Sequence, residues 1–153
     1  MVKSKVLITV ALIVGILITG VLVTATIWPV INDVETGATP EYPDILPQFY
    51  NAEPLRVYEE SLGAVKSMEN WKVVSTDAQT YQIVAERSTR LGFVDDVLIY
   101  VEPVTDFATQ IRVRSTSRVG RGDFGQNARN IKEFFGAVDE RIGALKFDPS
   151  KAE

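Results

Sequence analysis

The stretch VDDVLIYVEPVTDFATQIRVRSTSR, residues 94–118, decides the fold. Its odd positions carry Val97, Ile99, Val101, Ile111 and Val113, while its even positions are mostly polar or charged. A period of two marks strands with one face toward a core and the other toward solvent or a partner. Pro103-Val104-Thr105-Asp106 reads as the turn between the two arms. The same parity runs upstream through Trp71, Val73, Tyr81, Ile83 and Ala85. Four alternating runs result, near 71–76, 80–88, 94–102 and 108–118, joined at Thr76-Asp77-Ala78-Gln79 and Arg90-Leu91-Gly92 as well. Connections this short imply an antiparallel meander.

Helical spacing flanks the meander. Pro54 suits a first turn, and Leu55, Tyr58, Leu62, Val65 and Met68 recur at three and four, with Asn70 as the stop. Beyond strand four, Asp123 followed by Gln126 fits a capping box. Ala128, Ile131, Phe135, Val138, Ile142 and Leu145 then form one stripe. Gly136 and Gly143 each cost this helix about 1 kcal/mol relative to alanine, so close packing is expected there. The expected fold class is α+β: a four-stranded antiparallel meander over residues 51–146, with a helix before and a helix after packed on one face, and a flexible tail at 147–153.

Before this domain lies a different kind of sequence. Val6 to Ile27 is almost unbroken Val, Leu, Ile, Ala, Gly and Thr. At a rise of ~1.5 Å per residue that run spans roughly 33 Å, enough to cross a hydrocarbon layer of about 30 Å. Residues 6–28 therefore read as a transmembrane helix, with Trp28 at the headgroup layer and Pro29 where the helix stops. Lys3 and Lys5 precede the span while Asp33 and Glu35 follow it, which places residues 1–5 in the cytoplasm and the domain on the far side of a bacterial inner membrane or its equivalent. The competing reading is a cleaved signal peptide with Val23-Thr24-Ala25 as a poor cleavage site. Ala11, Gly15 and Gly20 permit close approach of a second helix, so a homo-oligomer or a larger membrane complex is an open expectation beside the lipid bilayer itself. Residues 29–50, with four prolines among acidic residues, read as an extracytoplasmic tether anchored through Tyr42, Ile45, Phe49 and Tyr50.

Composition narrows the chemistry. Cysteine and histidine are both absent, which removes thiol nucleophiles, disulfides, Cys/His metal sites and imidazole acid–base catalysis. No cofactor or metal is called for. The formal charge is −4, and Lys3 and Lys5 are the only charges before Asp33, so the remainder stands at −6. Such a domain is not expected to bind nucleic acid.

One edge of the domain gathers the candidate residues: Asp95 and Asp96 at the start of strand three, Arg112, Arg114 and Arg118 along strand four, and Arg121, Asp123 and Asn127 at the entry to the last helix. With Asp96 opposite Arg114, a cross-strand ion pair worth ~0.2–1 kcal/mol is the plain reading. The sharper one is anion binding, since a Gly-containing loop, arginines and a helix N-terminus present N–H groups and positive charge together. Asp123 stands in the way of that anion. Ser115 and Ser117 fall on the inward face and read as packing.

The stretches Gly92-Phe93-Val94-Asp95-Asp96-Val97 and Arg112 to Ile131, the latter reading RVRSTSRVGRGDFGQNARNI, resemble the signature of the family catalogued as domain of unknown function 1499. The resemblance covers the second half of the domain and weakens back to about Pro54. It implies a small bacterial or plastid protein with an N-terminal signal or anchor. It also singles out Asp95, Asp96, Arg114, Ser115, Ser117, Arg118, Gly120, Asp123, Gly125 and Asn127 as the motif positions. Tyr42 to Pro47 departs from the family's pattern in lacking cysteine.

Three functions remain open. The first is an anchored accessory or binding module contacting a partner protein or a small anionic ligand. The second is a carboxylate-based envelope enzyme using Asp95, Asp96 and Asp123, which requires those groups to converge. The third is an apolar-ligand carrier, which empty volume beneath Trp71, Tyr81 and Phe135 would support and a close-packed interior would remove.

Overall fold

The computed structural model describes residues 2–151. Met1 of the expected cytoplasmic segment and residues 152–153 of the expected tail lie outside them. The first element is helix α1, Val2–Ile27. Its segment Lys5–Val23 is long and apolar enough to cross a membrane, with none of it buried against the rest of the chain. Thr9 and Thr19 donate their hydroxyls back to the carbonyls of Lys5 and Gly15, so neither is left unpaired in an apolar setting.

The alternating runs form strands β3 (Trp71–Asp77), β4 (Gln82–Ser88), β5 (Val94–Thr105) and β6 (Ala108–Ser117), paired in sequence as an antiparallel meander. The parity rule holds residue by residue. Ile83, Ala85, Val97, Ile99, Val101, Ile111 and Val113 are all buried.

The sheet is larger than the four strands expected. The supposed tether contributes β1 (Asp33–Glu35) and β2 (Gln48–Tyr50), both antiparallel to the outer side of β6, and the supposed tail contributes β7 (Lys146–Phe147) against β2. Residues beyond it form a short 3-10 turn, Pro149–Lys151. Physically, β6 would otherwise be an edge strand with a row of unpaired backbone groups. Two three-residue segments of the proline-rich stretch cover that edge, and Val34 and Tyr50 bury completely in doing so.

The hairpin register also differs from expectation. The two-residue turn is Asp106-Phe107, not Pro103–Asp106, because Thr105 pairs with Ala108 and Pro103 stays inside β5 beside an irregularity. Proline is tolerated there since pairing with β4 ends at Tyr100. Asp96 consequently faces Thr116, and Arg114 faces Leu98.

Helices α2 (Pro54–Ser67) and α3 (Gln126–Ile142) cover one face of the sheet. The buried stripe of α3 adds Phe134 to the expected residues, and Phe134 contacts both Trp71 and Phe135 at 6.5 and 5.6 Å between ring centroids. In α2 the stripe is rotated: Val57, Tyr58, Ser61, Ala64 and Val65 are buried, whereas Leu55 is exposed. The Tyr50 hydroxyl, within 2.8 Å of Asp139 Oδ1, ties β2 to α3; burial and that carboxylate push its pKa up.

Close packing at Gly136 is not found. A Cβ there would meet nothing within 4 Å, whereas one at Gly143 would lie 3.3 Å from the Asp139 side chain. Gly136→Ala should therefore raise the unfolding free energy by about 0.5–1 kcal/mol through the helix backbone alone. Urea titration of the two proteins followed by circular dichroism checks this; an unchanged or lower midpoint would contradict it.

Candidate binding site

The candidate residues separate by the direction in which the sheet points them. Asp95 has odd parity, like Val97, so it points inward and is only 2% exposed. A buried carboxylate is costly unless its oxygens are hydrogen-bonded. Here the Ser117 hydroxyl donates to Oδ1 at 2.7 Å and the Asn130 amide donates to Oδ2 at 2.8 Å.

Those donors belong to a wider network. Asn130 also donates to Ser115 Oγ, which in turn donates to Asn127 Oδ1 at 2.7 Å. The Asn127 amide donates to Ser117 Oγ and to the carbonyl of Asn32, both at 2.9 Å. Gln126 Nε2 completes the shell by donating to Asn130 Oδ1. The result fastens the first turn of α3 to β5, β6 and the chain just after the membrane-type helix.

Asp123 occupies the helix entry as expected. Its two oxygens accept the backbone N–H groups of Gly125 and Asn127 at 2.8 and 2.7 Å. The expected capping box is not formed: the N-cap is Gly125, so Gln126 opens the helix instead of lying three residues in, and its side chain bonds Asn130 and Arg129. The loop before α3 is clamped by the segment following α1. Ile31 accepts the Asp123 N–H, Asn32 accepts the Ser117 N–H, and the Asn32 side chain donates to the Gly120 carbonyl. Gly125, at φ +74°, has no space for a side chain: a Cβ would come within 2.7 Å of the Trp28 ring.

The even-numbered residues point outward and neutralise one another. Arg112 donates to Glu102 and Glu35 at 2.8 and 2.7 Å and lies 5.2 Å from the Tyr100 ring centroid. Arg114 is held by Asp33, with Nε 2.9 Å from Oδ1, and not by Asp96. Arg118 is shared by Glu86 and Asp96, its Nη2 2.6 Å from Asp96 Oδ1. Each arginine on this face is thus satisfied within the chain. Arg114 holds the Asp33 carboxyl below its usual pKa, chiefly through this hydrogen bond. Arg121 is exposed and has no carboxylate partner among the described residues.

Asp95 and Asp123 line one cleft, each held by its own donors, while Asp96 is paired with Arg118 on the outer face, so the three carboxylates do not converge as a set. Among the described residues no group of three acidic side chains is placed to hold a metal ion.

What the motif does enclose is a cleft of about 410 Å³ between the turn joining β4 to β5 and the loop joining β6 to α3. Leu91, Phe93, Val119 and Phe124 wall it, Asp95 and Ser117 lie at its base, and Arg129 stands beside the entry of α3. The carrier expected from the sequence required empty volume beneath Trp71, Tyr81 and Phe135. That region is filled by aromatic contacts, Tyr81 against Tyr58 at 5.7 Å and Trp71 against Phe134. The walls were missed because they sit in turns, where periodicity is silent. Asn127 and Asn130 left a readable signal: polar residues three apart, beside Ile131 on the buried side of an amphipathic helix.

A seven-stranded antiparallel sheet covered by two helices, with a cleft at one end of the covered side, defines the class of domain. The chain belongs to the family described as "Protein of unknown function (DUF1499)", whose pattern matches residues 24–138. Among solved structures, the di-domain ARO/CYC BexL from the BE-7585A biosynthetic pathway is 13% identical at a TM-score of 0.50, over 74% of this chain and 47% of that one. The di-domain ARO/CYC StfQ from the steffimycin biosynthetic pathway is 13% identical at 0.48, over 63% and 43%. The protein TTHA0849 from Thermus thermophilus is 15% identical at 0.44, over 73% and 97%. The chain spans less than half the length of the two di-domain proteins, and at such identities the likeness is one of fold. No curated protein sequence matches significantly.

The buried network and the outer ion pairs should differ in weight. Asn127→Ala leaves the buried Ser115 hydroxyl without its acceptor and removes one donor each from Ser117 Oγ and the Asn32 carbonyl, and is expected to cost about 2–3 kcal/mol. Arg114→Ala, at a half-exposed pair, should cost less than about 1 kcal/mol. Because the folded-state pKa of Asp33 is depressed, that smaller loss is present at neutral pH and shrinks as pH falls below about 4. Denaturant titrations of both variants between neutral and acid pH measure the order and the trend; equal losses would refute the division.

Proposed function

We propose that this chain is a single-pass, membrane-anchored binding module whose domain takes a small, largely apolar molecule in the cleft between the β4–β5 turn and the β6–α3 loop. The single observation that carries the reading is the cleft itself: about 410 Å³, apolar side chains along its walls, and hydrogen-bonding groups of Asp95 and Ser117 at its base. Pockets for small ligands characteristically combine apolar walls with a few polar groups that fix orientation. In this reading α1 is the anchor, Lys3 and Lys5 keep the N-terminus cytoplasmic, and the domain faces the opposite side of an inner membrane.

The anionic-ligand reading is weakened because Arg112, Arg114 and Arg118 are already neutralised and Asp123 takes the backbone N–H groups at the helix entry, which leaves it Arg121 from the motif. The carboxylate-enzyme reading loses its ground because the three aspartates bind separate partners. BexL contributes a shared frame and nothing about chemistry.

Phe124 supplies a specific support. Its φ of +52° lies in the left-handed region, which costs a non-glycine residue roughly 1–2 kcal/mol, yet its ring is not buried in return. A strained backbone that holds an exposed ring at the edge of a cleft suits a ring kept for contact with something else.

The test uses the full chain in membranes with a diazirine-bearing fatty acid as probe, irradiated and mapped by mass spectrometry. Adducts are expected at residues 89–94 and 117–129 as well as in α1; adducts in α1 alone would overturn the reading. Phe124→Gly should lower the domain adducts severalfold while leaving the thermal midpoint equal or higher, since glycine relieves the strain at that position.

A further inference from the structure

We infer that the mouth of this cleft lies on the lipid surface, its apolar rim entering the headgroup layer and its flanking arginines facing anionic lipid. The inference rests on the anchored-module reading and adds where the occupant comes from, namely the adjacent leaflet.

The rim is exposed to an unusual degree for apolar side chains: Leu91 84%, Val119 66%, Phe124 58% and Phe93 52%. They come from two separate segments and meet at one mouth. A contiguous apolar patch of this kind is a contact surface more often than an accident of sequence. Its occupant is indicated by what lies next to it. Trp28, Pro29 and Val30 line a second hollow together with Gly122 and Phe124, and those last two residues also line the cleft. The rim is therefore continuous with the end of α1.

Chain length fixes how near the lipid it lies. Ile31 is hydrogen-bonded to Asp123, and Asn32 to Ser117. Three chain steps lead from Trp28 to Ile31, which allows at most about 11 Å at ~3.3–3.6 Å each. The headgroup layer itself is roughly 5–7 Å deep on each side of the hydrocarbon. With Trp28 in that layer and its ring against Gly125, the loop carrying Val119 and Phe124 can stand off from the lipid by no more than a few ångströms.

Charge agrees. Arg90 follows Thr89 in one wall, Arg121 sits between Gly120 and Gly122 in the other, and Arg129 lines the cleft. None has a carboxylate partner among the described residues, and Arg129 bonds only the Phe124 carbonyl and Gln126. The arginines of the outer sheet face, by contrast, are all paired. A chain that is acidic in sum would be repelled by an anionic bilayer, so three free cations gathered at this mouth favour this end. The other exposed cations without an ion pair among the described residues of the domain, Arg56, Lys66 and Lys72, are spread over α2 and β3. The opposite end of the β5–β6 hairpin carries Val104 and Phe107, also exposed but far from α1, and serves as the control.

The chain has no cysteine, so single substitutions give unique labelling sites. Leu91→Cys, Val119→Cys, Phe107→Cys and Ile16→Cys, each in the full chain, would carry a nitroxide in nanodiscs of phosphatidylcholine with or without phosphatidylglycerol. Collision with oxygen and with a water-soluble nickel chelate reports the surroundings. Labels at positions 91 and 119 are expected to show severalfold lower nickel access than position 107, with oxygen access retained, and more so with phosphatidylglycerol. Arg90→Ser with Arg121→Ser should reduce that lipid dependence. Water-like access at 91 and 119 while 16 reads as lipid would overturn this inference alone. Water-like access at 16 would overturn the anchored-module reading with it. Shielding of 91 and 119 from both reagents would mean a protein covers the rim, and would equally overturn the lipid assignment.

Discussion

A carboxylate that has left water must be met by donors, and Asp95 imposes that requirement on everything around it. It stands on the buried face of β5 because strand parity gives it no alternative, with Val97 and Ile99 continuing the same row. Only groups that approach from the covering helix and from the neighbouring strand can reach it. Asn130 and Ser117 do so, and Asn127 and Ser115 then satisfy them in turn. A half-satisfied network of this kind would be worse than an apolar core. The start of α3 is thereby fixed in register against β6, and the loop between them has a single path to follow. The cleft is the space that path leaves open.

The outer face of the sheet obeys weaker rules. Its ion pairs are half exposed, and each contributes little to stability. Their importance lies in what they remove. With Asp33, Glu35, Glu86, Asp96 and Glu102 spread over β1, β4 and β5, each arginine of β6 finds a carboxylate across a strand boundary. A face that would otherwise be a basic stripe presents no unpaired β6 arginine, and five carboxylates against three arginines leave that cluster acidic in sum. The family motif thus divides by parity into an internal half that builds and an external half that neutralises.

Much of this was legible in the residues, and the failures have identifiable causes. The period of two placed the four long strands, and the stripe of α3 was sound because its apolar residues are large and regularly spaced. Register failed because Pro103 and Thr105 looked like a turn, whereas the irregular end of β5 accommodates the proline where β4 has already stopped. β1 and β2 were invisible because three residues carry no periodicity; only the exposed edge of β6 accounts for them. Asp95 was read by its charge, as a candidate contact at one edge of the domain. Its parity pointed inward, and the inward serines two residues apart on β6, with Asn127 and Asn130 on the helix, were the donors that made burial tolerable.

The same reasoning explains why the cleft ended up at this end of the domain. Elsewhere the covered face of the sheet is closed by aromatic and branched side chains from both helices, with Phe134, Ile131 and Val138 fully buried between α3 and the strands. At the start of α3 the facing residues are asparagines, which are shorter and already committed to hydrogen bonds, so they cannot fill the space out to the strand ends. The two turns that border it contribute large apolar groups which have no core left to enter. Leu91 and Val119 are exposed because the polar network lies beneath them, and the positive φ of Phe124 directs its ring to that same border. Asp123 keeps the helix end from needing an outside anion, so what the border presents is apolar surface ringed by arginine. An apolar mouth above a polar base, a few residues from the end of a membrane-length helix, follows from the burial of one aspartate.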